Sequence, residues 1–150
     1  MKRFLIAALA LMTPVAVAAQ AANEPYTPGL GEFMIATQLR HAKLWFAGQS
    51  KNWASLIMRL GGEIKEGLED AAKYDPMHDG LPIPDMIKGA PDAPLEALQK
   101  AVDAKNSAQF ATAFDSLTKG CNACHASAKK VFIKIQRPTA PPATNQVFRP

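Results

Sequence analysis

The sequence predicts an all-α fold, an antiparallel four-helix bundle. Apolar residues recur at helical spacing in four separate segments, strand-type alternation is nearly absent, and one long connection divides the segments two and two. Beyond an N-terminal leader the chain has about 130 residues, the size of one domain with a real core. Residues 22–150 read as a single unit without internal repeats, ending in a proline-rich tail from 136 to 150.

The first predicted helix runs from about Gly29 to Phe46, after the breaker Pro28. Leu30, Phe33, Met34, Thr37, His41 and Leu44 form its stripe, and Gly48 is its expected stop. The second runs from about Asn52, a plausible N-cap, to Lys73, with Trp53, Leu56, Ile57, Leu60, Ile64, Leu68 and Ala71 on one face. Its Gly61-Gly62 pair costs about 1 kcal/mol per glycine relative to alanine. Either a close approach of another element or a tolerated kink accounts for that cost. Tyr74 to Asp92 carries Pro76, Gly80, Pro82, Pro84, Gly89 and Pro91 and reads as a loop with a short helical turn at about Ile83 to Lys88. The third helix spans about Ala93 to Lys105, with Asp92 as cap, Pro94 in the first turn and Leu95, Leu98 and Val102 inward. The fourth starts at Ser107 and aligns Phe110, Phe114, Leu117, Cys121, Cys124, Ala128 and Val131. Trp45, Phe46 and Trp53 are expected between the first two helices. The tail has four prolines and no periodicity, and reads as an extended strap or a disordered end.

The leader has the layout of a secretory signal: Lys2 and Arg3, the apolar run Phe4 to Met12, then small residues with cleavage options near 18/19 or 21/22. The apolar run is shorter than the roughly 20 residues a bilayer span needs. The expected location is therefore the periplasm, with no membrane span after signal cleavage. The formal charge of +4 falls to about +2 without Lys2 and Arg3. No basic stripe with interleaved aromatics suggests nucleic acid.

The chemistry is concentrated in Cys121-Asn122-Ala123-Cys124-His125, which contains both cysteines of the chain. C-x-x-C-H is the attachment signature of a c-type haem. On a helix, residues i and i+3 lie on one side, so both sulfurs reach one porphyrin edge and form two thioether bonds. His125 then serves as proximal iron ligand. The competing readings are weaker. A dithiol redox motif needs a βαβ context, and structural zinc needs four ligands, whereas the other histidines, His41 and His78, stand apart. The expected cofactor is one covalent haem c, set against the bundle interior because the cysteines continue the apolar stripe.

A C-x-x-C-H on the last of four helices resembles the class II cytochromes c, the cytochrome c′ and c-556 group, over about residues 29 to 133. The segments Leu39 to Gly48 and Arg137 to Pro142 also resemble those of small exported bacterial proteins known only as cytochrome c. The resemblance implies a haem inside a four-helix bundle, closed on its far side by a first-helix methionine (c-556) or left open behind an apolar residue (c′). It also implies a homodimer through the first two helices.

His41 is the first candidate for the sixth iron ligand, because a strong ligand sits there on a stripe that otherwise packs the core. Met34, seven residues earlier on the same face, is the second. If Arg40 matches the c-556 group's first-helix basic residue, the ligand position falls nearer Leu44, which favours an open pocket. Arg40 and Lys43 are candidate propionate partners. The expected function is one-electron transfer with a periplasmic or membrane-bound redox partner. No paired carboxylates or nucleophile–base set suggest an enzyme. The alternatives are NO or CO binding at a five-coordinate haem, or a haem subunit of a larger redox complex.

Overall fold

A computed structural model describes residues 26–53, 56–142 and 147–149. The expected signal segment and the side chains of Leu56 and Ile57 lie outside the described residues. The chain is all-α in character. Its elements are α1 (Leu30–Gln49), α2 (Leu56–Tyr74), β1 (Met77–His78), β2 (Leu81–Pro82), α3 (Ile83–Ile87), α4 (Asp92–Asp103) and α5 (Ser107–Ser127). The expected connection thus contains the short helical turn and also a two-residue hairpin, with Met77 opposite Pro82. Asp79 and Gly80 turn that hairpin with positive φ, as tight hairpin turns require. No described helix is long and apolar enough to cross a membrane.

The helix ends follow from local chemistry, and several differ from the sequence expectation. Gly29 begins α1 without a side chain to cap it. Instead the Glu32 carboxylate accepts from the Gly29 N–H at 2.9 Å, and Asp75, just past α2, accepts from the Leu30 N–H at 3.1 Å. Two carboxylates thus face the positive end of the α1 dipole. Gly48 does not stop the helix. The chain turns out at Lys51 (φ 56°), and the Lys51 and Asn52 N–H groups close on the Gly48 and Ala47 carbonyls. Asn52 is therefore part of the α1 exit and not the cap of α2, which begins at Leu56. Pro91 precedes α4, and Asp92 lies in its first turn, paired at 3.2 Å with Lys65 of α2. Asn106 caps α5, its Oδ1 accepting from the Ala108 and Gln109 N–H groups.

The core joins Leu44 and Ala47 of α1, Leu60 and Ile64 of α2, Leu98, Ala101 and Val102 of α4, and Phe110, Ala113, Phe114 and Leu117 of α5. Fully burying a phenylalanine contributes about 1.5–3 kcal/mol, so Phe110 and Phe114, both inaccessible to solvent, dominate it. Trp45 and Trp53 pack on these two rings rather than only between α1 and α2. Their ring centroids lie 4.9 Å (Trp45–Phe114) and 6.1 Å (Trp53–Phe110) apart. Phe46 meets Phe148 of the tail at 6.0 Å. Helices α1 and α5 run in opposite directions: His41 meets Thr118, Trp45 meets Phe114, and Gly48 meets Phe110. Contacts are most extensive between α1 and α2 and between α4 and α5, with α2 also on α4 and α1 on α5.

Glycine is required at one place the sequence did not suggest. A Cβ on Gly48 would fall 2.1, 2.3 and 2.7 Å from three atoms of the Phe110 ring. The Gly61-Gly62 pair instead borders an open cleft of about 430 Å³ between α2 and α4, floored by Leu44, Leu98 and Val102. A Cβ on Gly62 would meet nothing within 4 Å. Gly48→Ala should therefore cost about 1–3 kcal/mol by overpacking, whereas Gly62→Ala should gain about 0.5–1 kcal/mol from helix propensity. Urea midpoints of the two variants should move in opposite directions from wild type.

Candidate functional site

The last two turns of α5 carry Cys121, Cys124 and His125, and the i, i+3 spacing keeps both sulfurs on one side, half-buried. The turn lies against the long connection. Cys124 Sγ is 4.0 Å from the Met86 carbonyl of α3, and a Cβ on Gly120 would lie 3.6 Å from the Ala90 carbonyl. Burial, helped by its neighbour Cys124, pushes the Cys121 thiol up to about 11, and burial also raises that of Cys124. Redox dithiols have the opposite property, a depressed pKa that supplies thiolate.

The helix ends at Ser127, before Val131, which the apolar stripe had included. Lys129 adopts φ 57° and the Lys130 N–H closes on the His125 carbonyl at 2.8 Å, so the chain reverses. It then runs back along α5. His125 Nδ1 is 3.0 Å from the Ile133 carbonyl oxygen. A carbonyl can only accept, so Nδ1 is the donor, and in the neutral tautomer that makes this bond Nε2 keeps its lone pair. This is the tautomer that an iron-ligating imidazole needs, held by the kind of outer partner that fixes its orientation. One turn earlier, Asn122 makes two bonds to Ile135, its Oδ1 accepting from the N–H and its Nδ2 donating to the carbonyl, each at 2.8 Å. Further along, Arg137 grips Asp115 with two nitrogens (2.6 and 2.7 Å) and covers the Trp45 ring at 4.6 Å. Phe148 then packs at the edge of the core. The described part of the tail is an extended strap.

The hairpin is tied to the same end of the molecule by Lys130 and Asp79, 3.1 Å apart. Around the reversal Met77, Val131, Phe132 and Ile133 are 61, 71, 78 and 43% exposed. Large apolar side chains so exposed beside half-buried thiols and a free imidazole nitrogen fit a large apolar group attached here. Among the described residues no group of three or more His, Cys, Asp or Glu is disposed to hold a bare metal ion.

The other candidates are distributed along α1. His41 is buried. Its ring lies 4.3 Å from that of Phe114, and Nε2 is 2.9 Å from Thr118 Oγ1. Thr118 donates its own proton to the Phe114 carbonyl at 2.9 Å, so His41 Nε2 is the donor in the first bond. Because α1 and α5 are antiparallel, a step of seven residues from this contact pairs the level of Met34 with that of His125. Met34 is half-buried. One turn from His41 in the same direction is Thr37, whose buried Oγ1 has no hydrogen-bond partner among the described residues. Thr37 and Arg40 share a notch on α2 at Gly67, where a Cβ would fall 2.6 Å from an Arg40 guanidinium nitrogen and 3.2 Å from Thr37 Oγ1. Arg40 also lies 3.7 Å from Glu63. An unpaired hydroxyl beside a guanidinium, near the level of Asn122, is a fitting surrounding for a carboxylate.

Sequence reasoning missed Asn122, the Ile133 and Ile135 backbone, and the Asp79–Lys130 link. Asn122 shares its helix face with Thr118, Lys119 and His125, and only its place inside the C-x-x-C-H run set it apart. The tail's prolines signalled that its backbone groups must pair outside a helix, without indicating where. Compared with protein-family models, with curated proteins and with solved structures, the chain matches none.

Burial pushes the His41 imidazole down to about 4. Below pH 6.5 the unfolded chain takes up a proton at this residue that the folded chain does not bind until about pH 4. The contribution is therefore fully present above pH 6.5 and declines as the pH falls toward 4, by on the order of 3 kcal/mol. Denaturation midpoints measured from pH 7 to 4 should fall more steeply for wild type than for His41→Leu. Parallel curves would contradict the buried neutral imidazole.

Proposed function

We propose that this chain is an exported monohaem c-type cytochrome of the class II kind, an antiparallel four-helix bundle that carries one electron at a time. One observation carries the reading: His125 Nδ1 is engaged by the Ile133 carbonyl, which leaves Nε2 for a ligand, within five residues of two half-buried cysteines at attachment spacing. The pairing of α1 with α2, α2 with α4, α4 with α5 and α5 with α1 supports the bundle.

Cys121 and Cys124 would hold haem c through thioethers, and His125 Nε2 would ligate the iron. Bound haem supplies a one-electron Fe(II)/Fe(III) couple. The chain's own residues set its surroundings. The Ile133 carbonyl would fix the imidazole, the exposed Met77, Val131 and Phe132 would supply apolar surface to cover the haem, and Arg40 with Thr37 would offset a propionate charge. At the sixth position the helix register supports Met34 ahead of His41, whose Nε2 donates to Thr118. That same engagement of His41 favours a second reading, a five-coordinate haem that binds NO or CO. The electron partner is a periplasmic or membrane-bound redox protein.

Optical spectra of the exported protein, oxidised and reduced, with and without CO, separate these readings. Electron transfer at a closed site gives sharp reduced bands that CO leaves unchanged, with Met34→Ala becoming CO-responsive and His41→Ala not. A broad high-spin spectrum that shifts with CO in wild type selects gas binding. A Cys121→Ala/Cys124→Ala chain should retain no haem after denaturation.

A further inference from the structure

The tail turns back beside α5 in a particular way. In an extended segment the N–H and C=O of one residue point to the same side, and those of the residue two further on point there too. Ile133 and Ile135 are two apart, so one strip of backbone presents the Ile133 carbonyl, the Ile135 N–H and the Ile135 carbonyl to α5. Asn122 and His125 are three apart and share a helix face. A carboxamide offers one acceptor and two donors, and Asn122 uses one of each on a single residue, at 2.8 Å in both cases. An aspartate would lack the donor and an alanine both groups. Between the Lys130 turn and the Arg137–Asp115 pair, the Ile133 N–H closes on the Lys130 carbonyl at 2.9 Å, and the two Asn122 bonds are the described ones that hold the chain beyond Ile133 against α5.

We infer that Asn122 is a positioning residue for His125: it pins the returning chain at Ile135, and the pinned chain presents the Ile133 carbonyl to His125 Nδ1. The inference rests on the cytochrome reading, in which His125 Nε2 is the proximal ligand. A carbonyl accepting from Nδ1–H makes Nε2 a stronger donor. A stronger donor favours Fe(III) and lowers the reduction potential. Asn122 thereby acts on the iron without touching it.

The test uses the exported holo-protein and two variants that break the clamp from opposite sides. Asn122→Ala removes the carboxamide, and Ile135→Pro removes the N–H it accepts from. Each should raise the reduction potential, and the double variant should raise it no further than the larger single effect, because both remove one device. In Asn122→Ala the Ile135 amide should exchange with solvent about tenfold faster, the loss of roughly one hydrogen bond. Far-UV circular dichroism checks that the helices remain. Faster exchange with an unmoved potential would overturn the inference, since the strap would then be held without orienting His125. Unchanged exchange would overturn it as well, as would additive shifts in the double variant. A wild-type chain exported without covalent haem would overturn the cytochrome reading. Exchange at Ile135 in that haem-free chain would still decide whether Asn122 holds the strap.

Discussion

On the proposed cytochrome reading, the hydrogen bond from His125 Nδ1 to the Ile133 carbonyl is the contact on which the site depends. A helix end cannot by itself choose the tautomer of a histidine in its last turn. Something outside the helix must accept one ring proton, and here the chain does so after reversing at Lys129. The rest of the end of α5 serves that contact. The Lys130 N–H closes the helix on the His125 carbonyl, Asn122 holds Ile135, and Arg137 secures the strap on Asp115 and Trp45.

Magnitudes separate this device from the fold. The aromatic centre made by Phe110 and Phe114 with Trp45 and Trp53 buries enough surface that losing one phenylalanine would cost about 3–5 kcal/mol. Each neutral hydrogen bond of the strap contributes about 1 kcal/mol net, and the half-exposed Arg137–Asp115 pair about 1 kcal/mol at most. The helices therefore hold without the strap, and the strap adds local order to the motif. A region of low local stability laid over a rigid core is also where a binding site can adjust to what it holds.

The four long helices were legible because each writes its buried face as an apolar stripe: Leu60 and Ile64, Leu98 and Val102, Phe110, Phe114 and Leu117 are all core. Their ends were less legible. Asn52 and Asp92 are both good caps by residue type, yet one finishes α1 and the other pairs with Lys65, because tertiary partners outbid local propensity. Glycine showed the same limit. The conspicuous Gly61-Gly62 pair borders a cleft, while Gly48 carries the tight contact with Phe110. The C-x-x-C-H spacing of Cys121, Cys124 and His125 was visible in the sequence. Their support was not, since Ile133 and Ile135 act through backbone groups that every residue has. His41 was recognisable as a buried position on its stripe, but its partner Thr118 lies 77 residues away.

The central claim, that Cys121 and Cys124 are haem-attachment residues, is tested most directly by the mass of the chain recovered from the periplasm of a host with a working attachment system. The account predicts the mature polypeptide plus one haem, with the haem remaining under denaturing conditions on the proteolytic fragment that contains Cys121 and Cys124. The polypeptide mass alone, with the two cysteines as free thiols or as a disulfide, would contradict it.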